Sequence, residues 1–313
     1  MASCDVSAGR IAWVISSAAL RGWAQAAYQG CQRISRGLMA IKLDLGRAWN
    51  EAVALMSANK DVIAVVAGVF FFLPSAISTI AIPMGDIQAA AGSGEIEPEA
   101  LLDLLAGFYA QYWWVFALVA LFQAVGMIGL LALLTDQRRP TVGEALGFGL
   151  KALIPYIAAQ LLATFLLVAA FLLPIVLGAA INTAVAVLLG VVGVVLAIYI
   201  WVKFALVSPV IAIEREMNPL AALRRSWKLT KGNSLRLFAF IALLALCFAV
   251  LTLLANMVFS IATVAGEQVG LFVSAIGGAV MNSALVVVFL AVLAAVHRQL
   301  SGGTSEAVRD AFE

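Results

Sequence analysis

The sequence predicts an all-α membrane protein. Its expected architecture is a polytopic membrane helical bundle of six transmembrane helices, arranged as three hairpins, each preceded by a cytoplasmic amphipathic helix. Three observations predict it. Of the 313 residues, 64% are hydrophobic and 12% charged, with a mean hydropathy of +1.06. Soluble domains carry roughly 45–50% apolar and about 25% charged residues, so lipid must be the solvent for much of this chain. The apolar residues gather into six runs, each reaching the roughly 20 residues a helix needs to cross the hydrocarbon core. Lys and Arg fall on one side of those runs only. The alternating strands of about ten residues that a β-barrel needs do not appear.

The first span covers 62–82, closed by Asp61 at one end and Pro83 at the other. The second covers 112–134 and opens on Tyr112, Trp113 and Trp114, an interfacial aromatic anchor. The third and fourth cover 152–174 and 184–202, the fifth 237–261 and the sixth 269–296. The loop after span one holds Asp86, Glu95, Glu97, Glu99 and Asp103 without Lys or Arg. The loop after span two holds Arg138, Arg139 and Lys151, and the loop after span four holds Arg215, Arg224, Arg225, Lys228, Lys231 and Arg236. His297, Arg298 and Arg309 follow span six. The positive-inside rule makes the basic side cytoplasmic. An even number of spans then leaves both termini there, and a bacterial inner membrane is the expected compartment.

Residues 39–300 form the expected membrane domain and 301–313 a cytoplasmic tail. Residues 1–38 are an extension carrying a short apolar run, IAWVISSAAL, then Arg21, Arg33 and Arg36. They read as an interfacial cytoplasmic helix, or as the product of a start assigned upstream of Met39. A signal peptide cleaved near Ala24-Gln25-Ala26 would put the following chain outside, against the charge rule. Cys4, Cys31 and Cys247 form no CxxC pair, so neither a metal site nor a disulfide framework is expected.

Three segments align as an internal repeat, each directly before an odd-numbered span. They begin at Asp44, Thr141 and Asn218, residues that cap helix N-termini. Glu144 completes a capping box, and Pro219 stands where a helix loses no donor. Four residues after each cap comes an alanine, Ala48, Ala145 or Ala222, followed by Trp49, Leu146 or Leu223. Four residues further stand Val53, Leu150 and Trp227, on the same helical face as those large residues.

The third segment is the strongest amphipath. Leu220, Leu223 and Trp227 make its apolar stripe, Arg224, Arg225, Lys228 and Lys231 surround the other face, and Gly232 is the expected C-cap. Such a helix lies in the headgroup plane, and each cation near an anionic leaflet contributes about 1 kcal/mol. Arg224, Arg225, Lys228, Lys231 and Trp227 are therefore the candidate lipid-headgroup site, unless these cations serve only to orient the spans.

Lys203 is the ionisable residue inside a span-like run. It is expected to snorkel from near the cytoplasmic end. Pro209 would turn Glu214 back towards Lys203, as a structural ion pair, or towards the basic helix. Gln123, Gln160, Asn182, Asn256 and Asn282 are expected to join helices, and Gly126, Gly129, Gly190 and Gly193 to allow close contact.

The run YIWVKFALVSPVIAIEREMNPLAALRRSWKLTKGNSLRLFAFIALL, from Tyr199 to Leu244, resembles the glycerophosphoryl diester phosphodiesterase membrane-domain family. Lys203, Pro209, Glu214, Ser226, Trp227, Thr230 and Gly232 carry the likeness, which extends over the six-span region from about Lys42. The resemblance implies a multi-span membrane domain, sometimes fused to a phosphodiesterase barrel. No segment here is long and mixed enough to be a (β/α)₈ barrel of about 250 residues, so the activity is not expected to come with the likeness.

Ser226 and His297, the one candidate nucleophile and base, stand on separate elements with no motif around either. No nucleotide loop, metal cluster or haem motif is present. The expected protein is non-enzymatic and needs no cofactor or metal. It organises membrane lipids, anionic phospholipids among them, or partner proteins through its basic helices; a second copy of the chain is one such partner, and nucleic acid is not. The alternative is a transporter or lipid-moving protein with its site between the repeat units.

Overall fold

A computed structural model describes residues 43–82, 87, 97–135 and 141–301. The extension 1–38, the tail beyond Ser301 with Arg309, and Asp86, Glu95, Arg138, Arg139, Cys4 and Cys31 lie outside the described residues.

Among the described residues all regular structure is helical. The order is α1 (Leu45–Ala58), α2 (Lys60–Ala81, with a π turn over Gly68–Phe72), α3 (Pro98–Thr135), α4 (Val142–Ala179), α5 (Thr183–Phe204), α6 (Val207–Ile213), α7 (Pro219–Leu229), α8 (Ser234–Ser260) and α9 (Glu267–Ser301). Six stretches are long and apolar enough to cross a membrane: α2, α3, α4, α5 with α6, α8 and α9. The chain is an all-α integral membrane protein, and each span falls on one of the six apolar runs. The helices outrun them. The 38 residues of α3 make about 57 Å at 1.5 Å per residue, against a core of roughly 30 Å. Its first turns, with Glu99 and Asp103, therefore extend past the hydrocarbon.

α9 is the centre of the bundle. Every residue from Leu290 to His297 is buried, because α1, α2, α3, α6 and α8 all pack on it. α1 is fixed across its end: Gln299 Oε1 accepts from Asp44 N at 3.2 Å, and Arg298 pairs with Glu51 at 3.1 Å. Asn233 Oδ1, at the start of α8, accepts from Leu43 N at 2.9 Å. Inside the membrane, Ser283 of α9 donates to the carbonyl of Ala67 beside the π turn.

α4 and α5 form a hairpin through a short turn, where Asn182 accepts from Val185 N at 2.9 Å and caps α5. The two helices approach closely at Gly193, where a Cβ would stand 2.6 Å from the Phe171 carbonyl oxygen. α3 and α4 cross as closely at Gly149, which faces the Val125 carbonyl. Elsewhere the hairpin turns its side chains outward: Leu161, Phe165, Val187, Leu188, Val191 and Val195 are each more than half exposed. In a bilayer those faces meet lipid.

The three segments that introduce the hairpins share their caps. Asp44 accepts from Arg47 N, Asn218 accepts from Leu220 N and Ala221 N, and Thr141 forms a capping box with Glu144. The alanines four residues on are all buried, Ala48 at 0%, Ala145 at 2% and Ala222 at 0% exposure. The large residues after them do not share one environment: Leu223 is buried, whereas Trp49, Val53 and Leu150 are exposed. The second segment also differs from expectation. It is not a separate helix but the first turns of α4. Nothing between Thr141 and Pro155 breaks it, and α4 accommodates Pro155 without ending. Asn59 ends α1, and the turn through Gly232 (φ 85°) separates α7 from α8.

Candidate functional site

The basic end of the bundle is built around Pro209. In a continuous helix its ring would clash with the carbonyl four residues back, that of Ala205. The chain breaks there, at Ala205–Leu206, and restarts as α6. α6 is apolar and buried at Val207, Pro209, Val210, Ile211 and Ala212. Glu214 ends it. Arg215 follows in the left-handed region (φ 56°), a conformation that strains a residue with a side chain by roughly 1–2 kcal/mol, and its guanidinium lies 5.1 Å from the Phe148 ring centroid. Glu216 Oε1 accepts from Asn218 N at 3.0 Å, and Asn218 with Pro219 starts α7.

Glu214 does not pair with Lys203. Its two oxygens accept from Arg225 Nε at 3.0 and 2.8 Å, and Oε1 lies 3.0 Å from His297 Nε2. A carboxylate can only accept, so Nε2 donates. One carboxylate thus ties α6, α7 and the end of α9 together. Of the two directions open to Glu214, the basic helix wins because α6 is short and ends beside α7. The His297 side chain is 2% exposed, and its Nδ1 is buried with no hydrogen-bond partner.

Lys203 takes a different environment from the snorkelling lysine expected. It is 3% exposed, and its Nζ lies 5.4 Å from the Tyr199 ring centroid and 5.3 Å from that of Trp227. The aromatic faces attract the ammonium in place of a carboxylate. The Lys203 carbonyl is one of the last in α5, which a helix leaves without an internal donor. Ser226 Oγ donates to it at 2.7 Å and pins α7 to α5. That hydroxyl, fully buried and already donating, has a structural role.

α7 therefore has three faces where two were expected. Ala222, Leu223, Ser226 and Leu229 pack into the protein. Arg224, Arg225 and Lys228 are exposed, as is Lys231 just past the helix end. Leu220 (51% exposed) and Trp227 (38%) belong to neither set. They border a groove of about 340 Å³ whose walls are Leu162 and Leu166 of α4, Phe204 of α5, and Leu220, Leu223, Arg224, Trp227 and Lys228 of α7. Trp227 is held as one wall by Tyr199 and Phe204, with ring centroids 5.9 and 5.8 Å away.

The carboxylates at this end are distributed unevenly. Glu214 takes Arg225 and Glu51 takes Arg298. Among the described residues no carboxylate pairs with Arg224, Lys228 or Lys231. Arg225, expected among the free headgroup cations, is thus engaged at its Nε by Glu214.

Of the other intramembrane polar residues, Asn256 and Asn282 line a second cavity between α8 and α9, with Thr252 and Met281. Its volume is about 110 Å³, below the roughly 300–1,000 Å³ of ordinary ligand pockets. Asn256 Nδ2 donates to its own helix, at the Thr252 carbonyl. Among the described residues no three His, Cys, Asp or Glu side chains gather closely enough to hold a metal ion.

The pairing of Glu214 with His297 was not anticipated. The available signal was the chain's one His at the end of one apolar run and Glu214, the first charge after the run FALVSPVIAI. Both are ionisable groups needing a partner at the same depth. No family model matches the chain, and neither a curated protein nor a solved structure matches it.

Proposed function

We propose that this protein is a non-enzymatic integral membrane protein that organises lipids at the cytoplasmic face through the basic amphipathic helix α7. The observation that carries the reading is the charge of Arg224, Lys228 and Lys231, unpaired among the described residues, beside the partly exposed Leu220 and Trp227. A helix so arranged buries its apolar residues at the headgroup boundary and presents its cations to phosphates. Three cations near an anionic leaflet contribute about 3 kcal/mol, on the order of a hundredfold in lipid preference. With the basic end cytoplasmic, both termini lie inside. The resemblance of Tyr199–Leu244 to the glycerophosphoryl diester phosphodiesterase membrane-domain family accords with a membrane role.

Reversing Arg224, Lys228 and Lys231 to Glu tests the reading, with Arg225 left in place because Glu214 holds it. Native mass spectrometry of the full chain should then show loss of co-purified anionic phospholipid. Unaltered retention would overturn the proposal. The alternative is a transporter or lipid-moving protein with its site between the repeat units; the Asn256–Asn282 cavity lies instead within the α8–α9 hairpin and holds only about 110 Å³, and the packed interior along α9 favours the first reading.

A further inference from the structure

We infer that the groove between α4, α5 and α7 is a discrete site for one anionic glycerophospholipid, with an acyl chain in the groove and the phosphate held by Arg224 and Lys228. This rests on the reading of α7 as a lipid-binding helix and adds a stoichiometry and a place. Arg224 and Lys228 are four residues apart, so they stack on one face with Cβ atoms about 5–6 Å apart, close enough for both side chains to reach one phosphate. Both are at once exposed and part of the groove lining. The rest of the lining is aliphatic or aromatic: Leu162, Leu166, Phe204, Leu220, Leu223 and Trp227. It offers a peptide backbone no side-chain amide or carboxylate, and it offers a negatively charged amphiphile both of the things it needs.

Size and surroundings point the same way. A volume of about 340 Å³ is at the low end for a ligand pocket, suited to one chain segment rather than a folded partner. The neighbouring outer face of α4, with Leu161 and Phe165, is open to the bilayer, so a chain enters sideways without leaving hydrocarbon. Lipid tails are as apolar as the groove, and transfer of a chain into it gains little on hydrophobic grounds. Selectivity must therefore come from the headgroup, and the groove fixes where the bound lipid lies. Lys203 stands behind Trp227 with no carboxylate paired to it among the described residues, and it adds to the positive potential that the phosphate meets.

The test uses the full chain in detergent micelles titrated with phosphatidylglycerol or phosphatidylcholine and read by native mass spectrometry. One phosphatidylglycerol should bind in preference to phosphatidylcholine. Arg224→Gln with Lys228→Gln should weaken that first binding step about tenfold or more. Leu162→Trp with Leu166→Trp, which fills the groove and leaves every charge in place, should weaken it as much. If the charge variant loses lipid and the groove variant does not, the binding is diffuse: the site falls and the proposed function stands. If neither loses lipid, both fall. A second measurement leaves the groove residues intact. Phosphatidylglycerol brominated on its chains should quench tryptophan fluorescence more than brominated phosphatidylcholine does, and Trp227→Phe should remove that excess. Equal quenching by the two lipids would overturn the site.

Discussion

Replacing Glu214 by Ala should destabilise the protein through His297 far more than through Arg225. The carboxylate serves both, but the two partners lie in different media. The Arg225 side chain is 44% exposed, so water and salt screen its bond, and its loss costs about 0–1 kcal/mol. The His297 side chain is 2% exposed, and Glu214 is its hydrogen-bond partner. Without it Nε2–H is stranded beside an Nδ1 that already has no partner, which costs about 1–3 kcal/mol. The total of about 1–4 kcal/mol corresponds to a fall of several degrees in melting temperature, at roughly 2–4 °C per kcal/mol for a chain of this order of size. Scans at one fixed rate in one detergent are the assay, because membrane proteins commonly unfold irreversibly. Arg225→Ala should move the midpoint by less than half as much. Adding His297→Phe to Glu214→Ala should recover part of the loss, since the stranded donor goes with it. Equal effects of Arg225→Ala and Glu214→Ala, or no recovery in the double variant, would refute the reasoning.

Two further outcomes follow from close contacts. Ser226→Ala removes the donor to the Lys203 carbonyl and should cost about 1–3 kcal/mol, measured as a lower melting temperature; an unchanged midpoint would mean that water replaces the hydroxyl. Gly149→Val places a Cβ about 2.8 Å from the Val125 carbonyl oxygen, so α3 and α4 must part, and the variant should lose monodispersity on size exclusion while Gly147→Val, with open space around it, should not.

The spans and caps were legible in the sequence because both depend on local chemistry. An apolar run without charge has few structures open to it in lipid, and Asp44, Thr141 and Asn218 satisfy donors within three residues of themselves. What separates α1 and α7 from their spans, but not the Thr141 segment from α4, was not legible there. Asn59 and Gly232 interrupt the first and third, whereas Gly143, Gly147, Gly149 and Pro155 stand in the second without interrupting it. Partner choice was not legible. Whether Glu214 meets Lys203 or Arg225 depends on where α6 ends in space, and the break before α6 follows from Pro209 only after α5 is known to run to Phe204. The stripe Leu220–Leu223–Trp227 illustrates the same limit. Periodicity places all three on one face, yet it does not say that Leu223 is buried while Leu220 and Trp227 stay partly exposed, nor that all three border a groove whose other wall, Leu162 and Leu166, comes from a distant run.

The central position of α9 has a consequence for how the protein is made. It is the last of the described helices to leave the ribosome, yet α1, α2, α3, α6 and α8 all pack on it. At about 5–20 residues per second, the chain from Lys60 to His297 takes roughly ten to fifty seconds to emerge. Through that interval the faces that α9 will cover stay unmet, and Glu214, once made, waits for its histidine. A nascent chain arrested before Leu290 should therefore be inserted and still unassembled, an open substrate for membrane proteases until the last span slides in.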